Sequence, residues 1–344
     1  MATLKEVAKK AGVSITTVSR VINGSSKVNG ETRERVQKAM IQLDYQPNRV
    51  AQRLRASSGQ SKLLGLIIPD IQNQFYSNIV RGIEDVTYGH DYAVILCNSD
   101  ENPNKERFYL EVLKSESVDG IILPPIHQFG EEIESIIELG IPIVCVDRKL
   151  MRKKVDTVVI GNEKGGYDAV SHLIEQGHKK IAILTSSLQF SSFDERQKGY
   201  ERALKENGIE IDKRLIKEGD PRSSETAREL TDELLSLDSP PSAIFATNNL
   251  MTLGVLESVN KHGMQIPDDI SIVGFDDLPW AKAISPPLTT IKQPAYEMGQ
   301  KAAELFFQRV ENPSREPEVV IMEPKLIVRE STAKLVNAQV KDTE

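Results

Sequence analysis

From Leu63 onward the sequence alternates between short apolar runs and longer stretches of helical period. Runs rich in Ile, Val and Leu, bounded by polar or glycine-containing segments, predict buried strands. Because a helical stretch follows each run, the strands should lie parallel in sheets that helices cover on both faces. The predicted strands are Leu63–Ile68, Ala93–Leu96, Gly120–Leu123 and Ile143–Val146, then Lys180–Leu184, Ala243–Ala246 and Ile270–Gly274.

The two series of strands predict two similar lobes of α/β structure. In such folds a ligand binds at the C-terminal ends of the strands, here in a cleft between the lobes. The last helical stretch, Ala295–Val310, follows the second series and must pack on one of the two sheets. We assign residues 61–332 to this two-lobed domain, with a first lobe of 61–161 and 292–322, a second lobe of 162–291 and 323–332, and a tail of 333–344.

The first 56 residues differ from the rest of the chain in charge. They hold eleven basic and four acidic side chains, a balance of +7. Because the whole chain has a net charge of −7, the remaining residues carry a net charge of −14. A basic head on an acidic body indicates a polyanionic partner for the head alone. A solvated basic helical hairpin would show the same charge, so the charge leaves both interpretations open.

The head divides into short helices. Its first apolar stripe recurs at helical spacing through Leu4, Val7, Ala8 and Ala11. Gly12-Val13 forms a turn, and Ser14 is a suitable N-cap for a helix over residues 15–23. A third helix is predicted over residues 31–43, before Pro47. We assign residues 1–58 to a small all-α helix-turn-helix headpiece, in which about 48–55 could form one more short helix.

The second helix has the composition of a helix that reads DNA. Val18, Val21 and Ile22 can face inward, whereas the outward face is small and hydroxylated, with one arginine and no carboxylate. Ile and Thr methyl groups can contact thymine methyls, and Arg20 can donate to guanine O6 and N7. A merely solvated helix would more often carry Glu–Lys pairs, and this one has none. The predicted DNA contacts are Ile15, Thr16, Ser19, Arg20 and Asn23.

Many ordered segments over about residues 3–332 resemble the LacI/GalR family of transcriptional regulators. They include TLKEVAKKAGVSITTVSRVING, VNGETRERVQKAMIQLDYQPNRVAQRLR, LGLIIPDIQNQFYSNIVRGIED, PSAIFATNNLMTLGVL, ISIVGFDDLPWA and PPLTTIKQPAYEMG. The resemblance implies a homodimer that binds double-stranded palindromic operator DNA. It also implies that residues 61–332 form a periplasmic-binding-protein-like domain that binds a small effector and dimerises. We expect a sugar or sugar derivative, with a nucleoside or purine as the alternative.

The resemblance also assigns roles to individual residues of the head. Ile15, Thr16 and Arg20 match the base-reading positions of the family's recognition helix. Residues 48–55, which begin with Asn48, match the family's hinge helix. Leu54 matches the leucine that wedges into a central minor-groove step, where an apolar wedge trades base unstacking for a bend. From the residues alone, Leu54 would be a core contact of a short helix. Arg53 and Arg55 should act mainly through phosphates.

In the body, the resemblance places the effector among loops that follow the strands. An arginine, a carboxylate and an amide can together bind several sugar hydroxyls, while an aromatic ring covers the apolar face. Taken singly, Asp276 could be a helix N-cap and Arg196 a surface salt bridge. Trp280 could equally line the pocket or pack the lobe. The predicted effector contacts are Phe75, Tyr76, Asp147, Arg196, Asn248, Asp276 and Trp280.

Two positions depart from the family. Asn248-Asn249 stands where Asn-Asp is commonest, so a charge is lost at the pocket or at an interface. Glu304 lies on a helix where members that dock a phosphorylated phosphocarrier protein carry arginines. Because an acid repels a phosphoserine, we expect no phosphocarrier corepressor.

Competing functions receive little support from the sequence. We find no Gly-x-Ser-x-Gly, Walker A or His-Glu-x-x-His motif, so we predict neither catalytic residues, nor metal, nor cofactor. A periplasmic-type sugar-binding protein or an α/β enzyme remains the alternative function.

The N-terminus lacks a signal-peptide core, and no apolar run reaches the roughly 18 residues of a membrane span. Cys97 and Cys145 lie in apolar runs, which indicates buried thiols of a cytoplasmic protein without a membrane partner. The tail lacks leucine heptads, which argues against a coiled-coil tetramer.

Overall fold

A computed structural model describes residues 2–22, 27–45, 60–126, 130–151, 154–187 and 190–335. The chain forms two compact units, Met1–Ser61 and Lys62–Glu344. In the described ranges no helix has the length and apolarity that a bilayer crossing requires.

The first unit contains three short helices around a small apolar core. They are α1 (Leu4–Ala11), α2 (Ile15–Ile22) and α3 (Gly30–Gln42). Gly12 ends α1 with a φ of 66°, and the Ser14 hydroxyl accepts a hydrogen bond from the backbone N of Thr17, as the sequence predicts for an N-cap. A capping box between Thr3 and Glu6, which the sequence analysis did not predict, begins α1. The buried core comprises Val7, Ala8, Ala11, Val18, Val21, Val36 and Ala39.

The first lobe of the second unit is built on a six-stranded parallel sheet with the strand order β11-β5-β4-β3-β1-β2. Its strands are β1 (Leu63–Ile68), β2 (Ala93–Asn98), β3 (Gly120–Leu123), β4 (Ile143–Val146), β5 (Asp156–Ile160) and β11 (Val319–Met322). Its helices are α4 (Gln74–Gly89), α5 (Pro103–Ser115), α6 (Glu131–Glu138) and α11 (Ala295–Glu311). The last helix therefore belongs to this lobe.

The second lobe repeats the arrangement with the strand order β12-β10-β9-β8-β6-β7. Its strands are β6 (Ile181–Thr185), β7 (Ile216–Glu218), β8 (Ala243–Ala246), β9 (Ser271–Phe275), β10 (Thr289–Lys292) and β12 (Lys325–Ile327). Only β12 runs antiparallel among these described strands. Its helices are α7 (Asn162–Glu175), α8 (Ser191–Glu206), α9 (Ser224–Leu235) and α10 (Asn249–Lys261), with 3-10 turns at Lys213–Leu215 and Pro279–Lys282.

Close packing joins α4 to α11 on the first sheet. A Cβ on Gly82 would collide with the backbone carbonyl oxygen of Tyr296, and a Cβ on Gly299 would collide with that of Ile79. Glycine at both positions therefore lets the two helix backbones approach each other. Cys97 and Cys145 are buried free thiols, as predicted. Burial raises the pKa of both thiols, because it disfavours the thiolate.

Candidate DNA-binding surface and effector cavity

The outward face of α2 carries the four predicted DNA contacts that lie in the described residues. The Ile15 side chain is 44% exposed although it is apolar, and Thr16 and Arg20 are exposed beside it. Ser19 is half-buried, so it is less accessible than predicted. On the opposite face Val18 and Val21 are buried in the core of the unit. Five predicted contacts lie outside the described residues: Asn23, Asn48, Arg53, Leu54 and Arg55.

The charges around α2 suit an approach to phosphates. The helix itself has no acidic residue, and its basic residue, Arg20, lies in the last turn. Lys9 and Lys10 are exposed in the last turn of α1. The nearby acid of α1, Glu6, is engaged in the capping box; its hydrogen bonds to Thr3 lower its pKa. This surface can therefore present one guanidinium and several methyl groups to a groove without repelling the DNA backbone.

A cavity of about 40 Å³ lies where the strands of both lobes end. Each lining segment follows the C-terminal end of a strand or begins the next helix, as expected for parallel α/β lobes. Of the predicted effector contacts, six line this cavity: Phe75, Tyr76, Asp147, Arg196, Asn248 and Asp276. Trp280 does not line it. Its indole packs against the second-lobe core from the turn Pro279–Lys282, because an apolar cluster is available there.

On the first-lobe side, the cavity wall is a network of buried charges. The Tyr76 hydroxyl donates to Oδ2 of Asp147 at 3.0 Å, and Nη2 of Arg148 lies 3.3 Å from the Tyr76 oxygen. Arg148 also pairs with Glu101 through both terminal nitrogens, at 2.8 and 2.5 Å, and its guanidinium stacks on the Phe190 ring. Burial raises the pKa of Tyr76, so its hydroxyl stays protonated and can donate.

On the second-lobe side, Arg196 is held by neutral partners. Its Nε donates to Oδ1 of Asn162 at 2.8 Å, and Nη1 donates to the Thr247 carbonyl at 2.6 Å. The guanidinium lies 3.8 Å from the centre of the Phe275 ring. Burial lowers the pKa of Arg196. With 3% of its surface exposed, Arg196 is not a surface residue, and the alternative of a surface salt bridge is wrong.

Asp276 accepts two hydrogen bonds from opposite sides. Nε2 of Gln293 donates to Oδ1 at 2.5 Å, and the backbone N of Asn249, in the first turn of α10, donates to Oδ2 at 3.2 Å. Burial raises the pKa of Asp276, an effect that the charge of Arg196 opposes. The 3-10 turn after Asp276 spans Pro279–Lys282 and its N-cap is Leu278, so Asp276 does not cap the element that follows it. Asn248 caps α10 instead, through the backbone N of Met251.

The sequence analysis missed several side chains of this cavity. Five of them, all polar, each have a contact that spans 17 or more positions of the chain, and no local pattern marks such contacts. Nε of Arg148 and Oε1 of Gln293 are buried without a hydrogen-bond partner among the described residues, which leaves a donor and an acceptor at the cavity. The described residues contain no cluster of metal-ligating side chains. The missed residues include Asn73, Glu101, Arg148, Phe193, Arg222 and Gln293.

Comparisons with known proteins match both units. Residues 3–48 match the family described as bacterial regulatory proteins, lacI family, and residues 170–332 match a periplasmic binding protein-like domain. The HTH-type transcriptional repressor PurR of Vibrio atlanticus (strain LGP32) is 37% identical over 98% of this chain and 100% of its own length.

Solved structures agree over nearly the whole chain. A lac repressor dimer bound to operator and the anti-inducer ONPF superimposes with a TM-score of 0.85 at 29% identity, covering 96% of this chain and 99% of that one. The complex of the transcriptional regulator CelR with cellobiose has a TM-score of 0.74 at 32% identity, covering 96% and 100%. The chain belongs to the lacI family of bacterial regulatory proteins, and it is a DNA-binding transcriptional regulator rather than an enzyme.

Proposed function

We propose that this regulator is a homodimeric repressor whose binding to a palindromic operator is controlled by a small neutral polyol, most simply a monosaccharide. The carrying observation is the buried set of Asp147, Arg196, Asn248 and Asp276, which converge on one cavity between two α/β lobes. The exposed face of α2 would read the operator bases, and the action on DNA places the protein in the cytoplasm.

The charges of the cavity favour a neutral ligand. The buried arginines Arg148 and Arg196 face the carboxylates of Glu101, Asp147 and Asp276, so neither sign dominates. An effector phosphate would share the cavity with the carboxylates of Glu101, Asp147 and Asp276, whereas sugar hydroxyls can donate to the acids and accept from the arginines. The relative CelR is solved with cellobiose, which is also a neutral sugar.

The size of the cavity favours a small effector. A volume of about 40 Å³ holds only about three water molecules. A sugar ring therefore enters only if the lobes or the lining side chains move apart. A monosaccharide requires less movement than a disaccharide or a nucleoside, and Phe75 or Phe193 can cover its apolar face.

An apolar edge of the first lobe supports the homodimer. Strand β2 is at the edge of its sheet, and Leu96 on this strand is 37% exposed. The backbone of the exposed Ile71 is hydrogen-bonded to Asn98 at the end of β2, and Phe108 is exposed on the neighbouring α5. Such an apolar group around an open edge strand is suited to a second copy of the chain. Light scattering after size exclusion tests this, and a monomer would contradict it.

A phosphocarrier corepressor does not belong to this proposal. Glu304 lies exposed on α11 and forms an ion pair with Lys301 at 3.4 Å, so this stretch presents an acid. A phosphoserine partner would be repelled there.

A thermal-shift screen against monosaccharides, cellobiose and nucleosides tests the effector class, because a bound ligand raises the melting temperature. We expect a neutral sugar to raise it most. The Arg196→Ala and Asp276→Ala variants should each bind that sugar about 10- to 100-fold more weakly, since each loses charged hydrogen bonds. Arg202→Ala on the same helix as Arg196 is the matched control, because Arg202 is exposed. Parent-like binding by Arg196→Ala and Asp276→Ala would refute the site.

A further inference from the structure

Two asparagines connect the lobes above the effector cavity. Asn73 belongs to the first lobe, where its Oδ1 accepts a hydrogen bond from the backbone N of Phe75 at the start of α4. Asn249 is the first residue of α10 in the second lobe. Nδ2 of Asn249 donates to Oδ1 of Asn73 at 2.8 Å, and Nδ2 of Asn73 is 3.4 Å from Oδ1 of Asn249. The two carboxamides therefore face each other across the cleft.

The same asparagine is tied to the effector site. The backbone N of Asn249 donates to Asp276, and its neighbour Asn248 lines the cavity. Asn249 itself is only 4% exposed and Asn73 is half-buried, so the hydrogen bond between them is partly shielded from water. A movement that separates the lobes at this point would break this contact.

We propose that Asn73 and Asn249 form an interlobe clasp that holds the cavity closed, with Asn249 acting as a positioning residue for Asp276. As a device that regulates the effector site, the clasp rests on the proposed function. It acts through an uncharged amide pair. The closed state therefore does not depend on the ionisation of residue 249.

The two asparagines have different roles in the hydrogen bond of the clasp: Asn73 accepts and Asn249 donates. Oδ1 of Asn73 accepts from both Phe75 N and Asn249 Nδ2, so position 73 requires an acceptor and position 249 requires a donor. Aspartate at 73 supplies the acceptor. Aspartate at 249 removes the donor, sets a carboxylate against Oδ1 of Asn73 and adds a charge close to Asp276. The chemically equal substitutions Asn73→Asp and Asn249→Asp should consequently have unequal effects.

Interlobe distances measured by pulsed electron paramagnetic resonance on the full chain, without effector, test the clasp. Nitroxides are attached to Asn104→Cys in the first lobe and Lys205→Cys in the second, both at exposed positions. The native thiols are buried, with raised pKa values, and should not react. Asn260→Asp, exposed on the same helix as Asn249, controls for added charge.

We expect the closed-to-open ratio to fall roughly two- to tenfold in Asn249→Asp, the factor for one lost hydrogen bond. It should stay near the parent value in Asn73→Asp and Asn260→Asp. If Asn249→Asp loses its folded circular dichroism, Asn249→Ala takes its place and should open the lobes similarly. Unchanged distances in the Asn249 variants, or equal opening in Asn73→Asp, would overturn the proposal. Because no effector is present, these outcomes are independent of which ligand binds, so failure of the clasp and failure of the proposed function are distinguishable.

Discussion

Glu106 offers a test of how burial controls the stability of the first lobe. The side chain is 5% exposed on α5, and its Oε2 accepts a hydrogen bond from the backbone N of Ile126 at 3.2 Å. Burial raises the pKa of this carboxyl to about 7, and the Ile126 hydrogen bond and the charge of Arg148 reduce the rise. Glutamine at this position keeps an oxygen acceptor for Ile126 but cannot ionise.

The sign of the pH dependence follows from the raised pKa. Since the folded state favours the neutral acid, its contribution to stability is complete below the unfolded pKa of 4.5 and is lost as the pH rises through about 7. At about 1.4 kcal/mol per pKa unit, this interval corresponds to about 3 kcal/mol of unfolding free energy. Glu106→Gln should therefore match the parent at low pH and exceed it by up to that amount at pH 8.

Urea unfolding followed by circular dichroism at pH 4.5 and pH 8 measures this difference. Glu111→Gln on the same helix is the matched control, because its side chain is 61% exposed and should change stability little at either pH. An advantage of Glu106→Gln that is the same at both pH values would refute the reasoning. So would the absence of any advantage at pH 8.

Two further substitutions test the headpiece and the helix packing. Arg20→Ala should weaken the preference for one base pair of each operator half-site by about 1–3 kcal/mol, as measured by binding-site selection at two salt concentrations. An unchanged motif with uniformly weaker binding would show that Arg20 contacts only the DNA backbone. Gly82→Ala should destabilise the first lobe by about 1–3 kcal/mol, because its Cβ meets the Tyr296 carbonyl. Gly89→Ala, which has open space, is its control in the same unfolding experiment, and equal stabilities would contradict the packing argument.

The sequence predicted elements wherever an apolar pattern was local. The headpiece helices and the strands beginning at Leu63, Gly120 and Ile143 are examples. Strand β5 was missed because it begins with Asp156, a buried acid whose partner Arg309 lies 153 positions away. Helix α7 was missed because it begins Asn-Glu-Lys-Gly-Gly, without apolar periodicity.

The candidate site shows the same limit. Phe75, Asp147 and Asp276 could be proposed because each follows a strand within a family pattern. Arg148 and Gln293 could not, since what marks them is an unpartnered buried atom that only the folded chain produces. For Trp280 the sequence left two environments open, the effector pocket and the core of the lobe. In the structure Trp280 packs against the apolar core of the second lobe.

The most direct test of effector-controlled DNA binding is a fluorescence-anisotropy titration of the selected palindromic duplex, with and without the sugar identified by thermal shift. We expect that sugar to change the duplex Kd of the parent by about 5- to 150-fold, the usual range for coupled sites. The duplex Kd of Arg196→Ala should change far less at a sugar concentration near the parent's own sugar Kd, since this variant binds the sugar about 10- to 100-fold more weakly. A duplex Kd that the sugar leaves unchanged in the parent, or shifts equally in Arg196→Ala, would contradict control through this cavity.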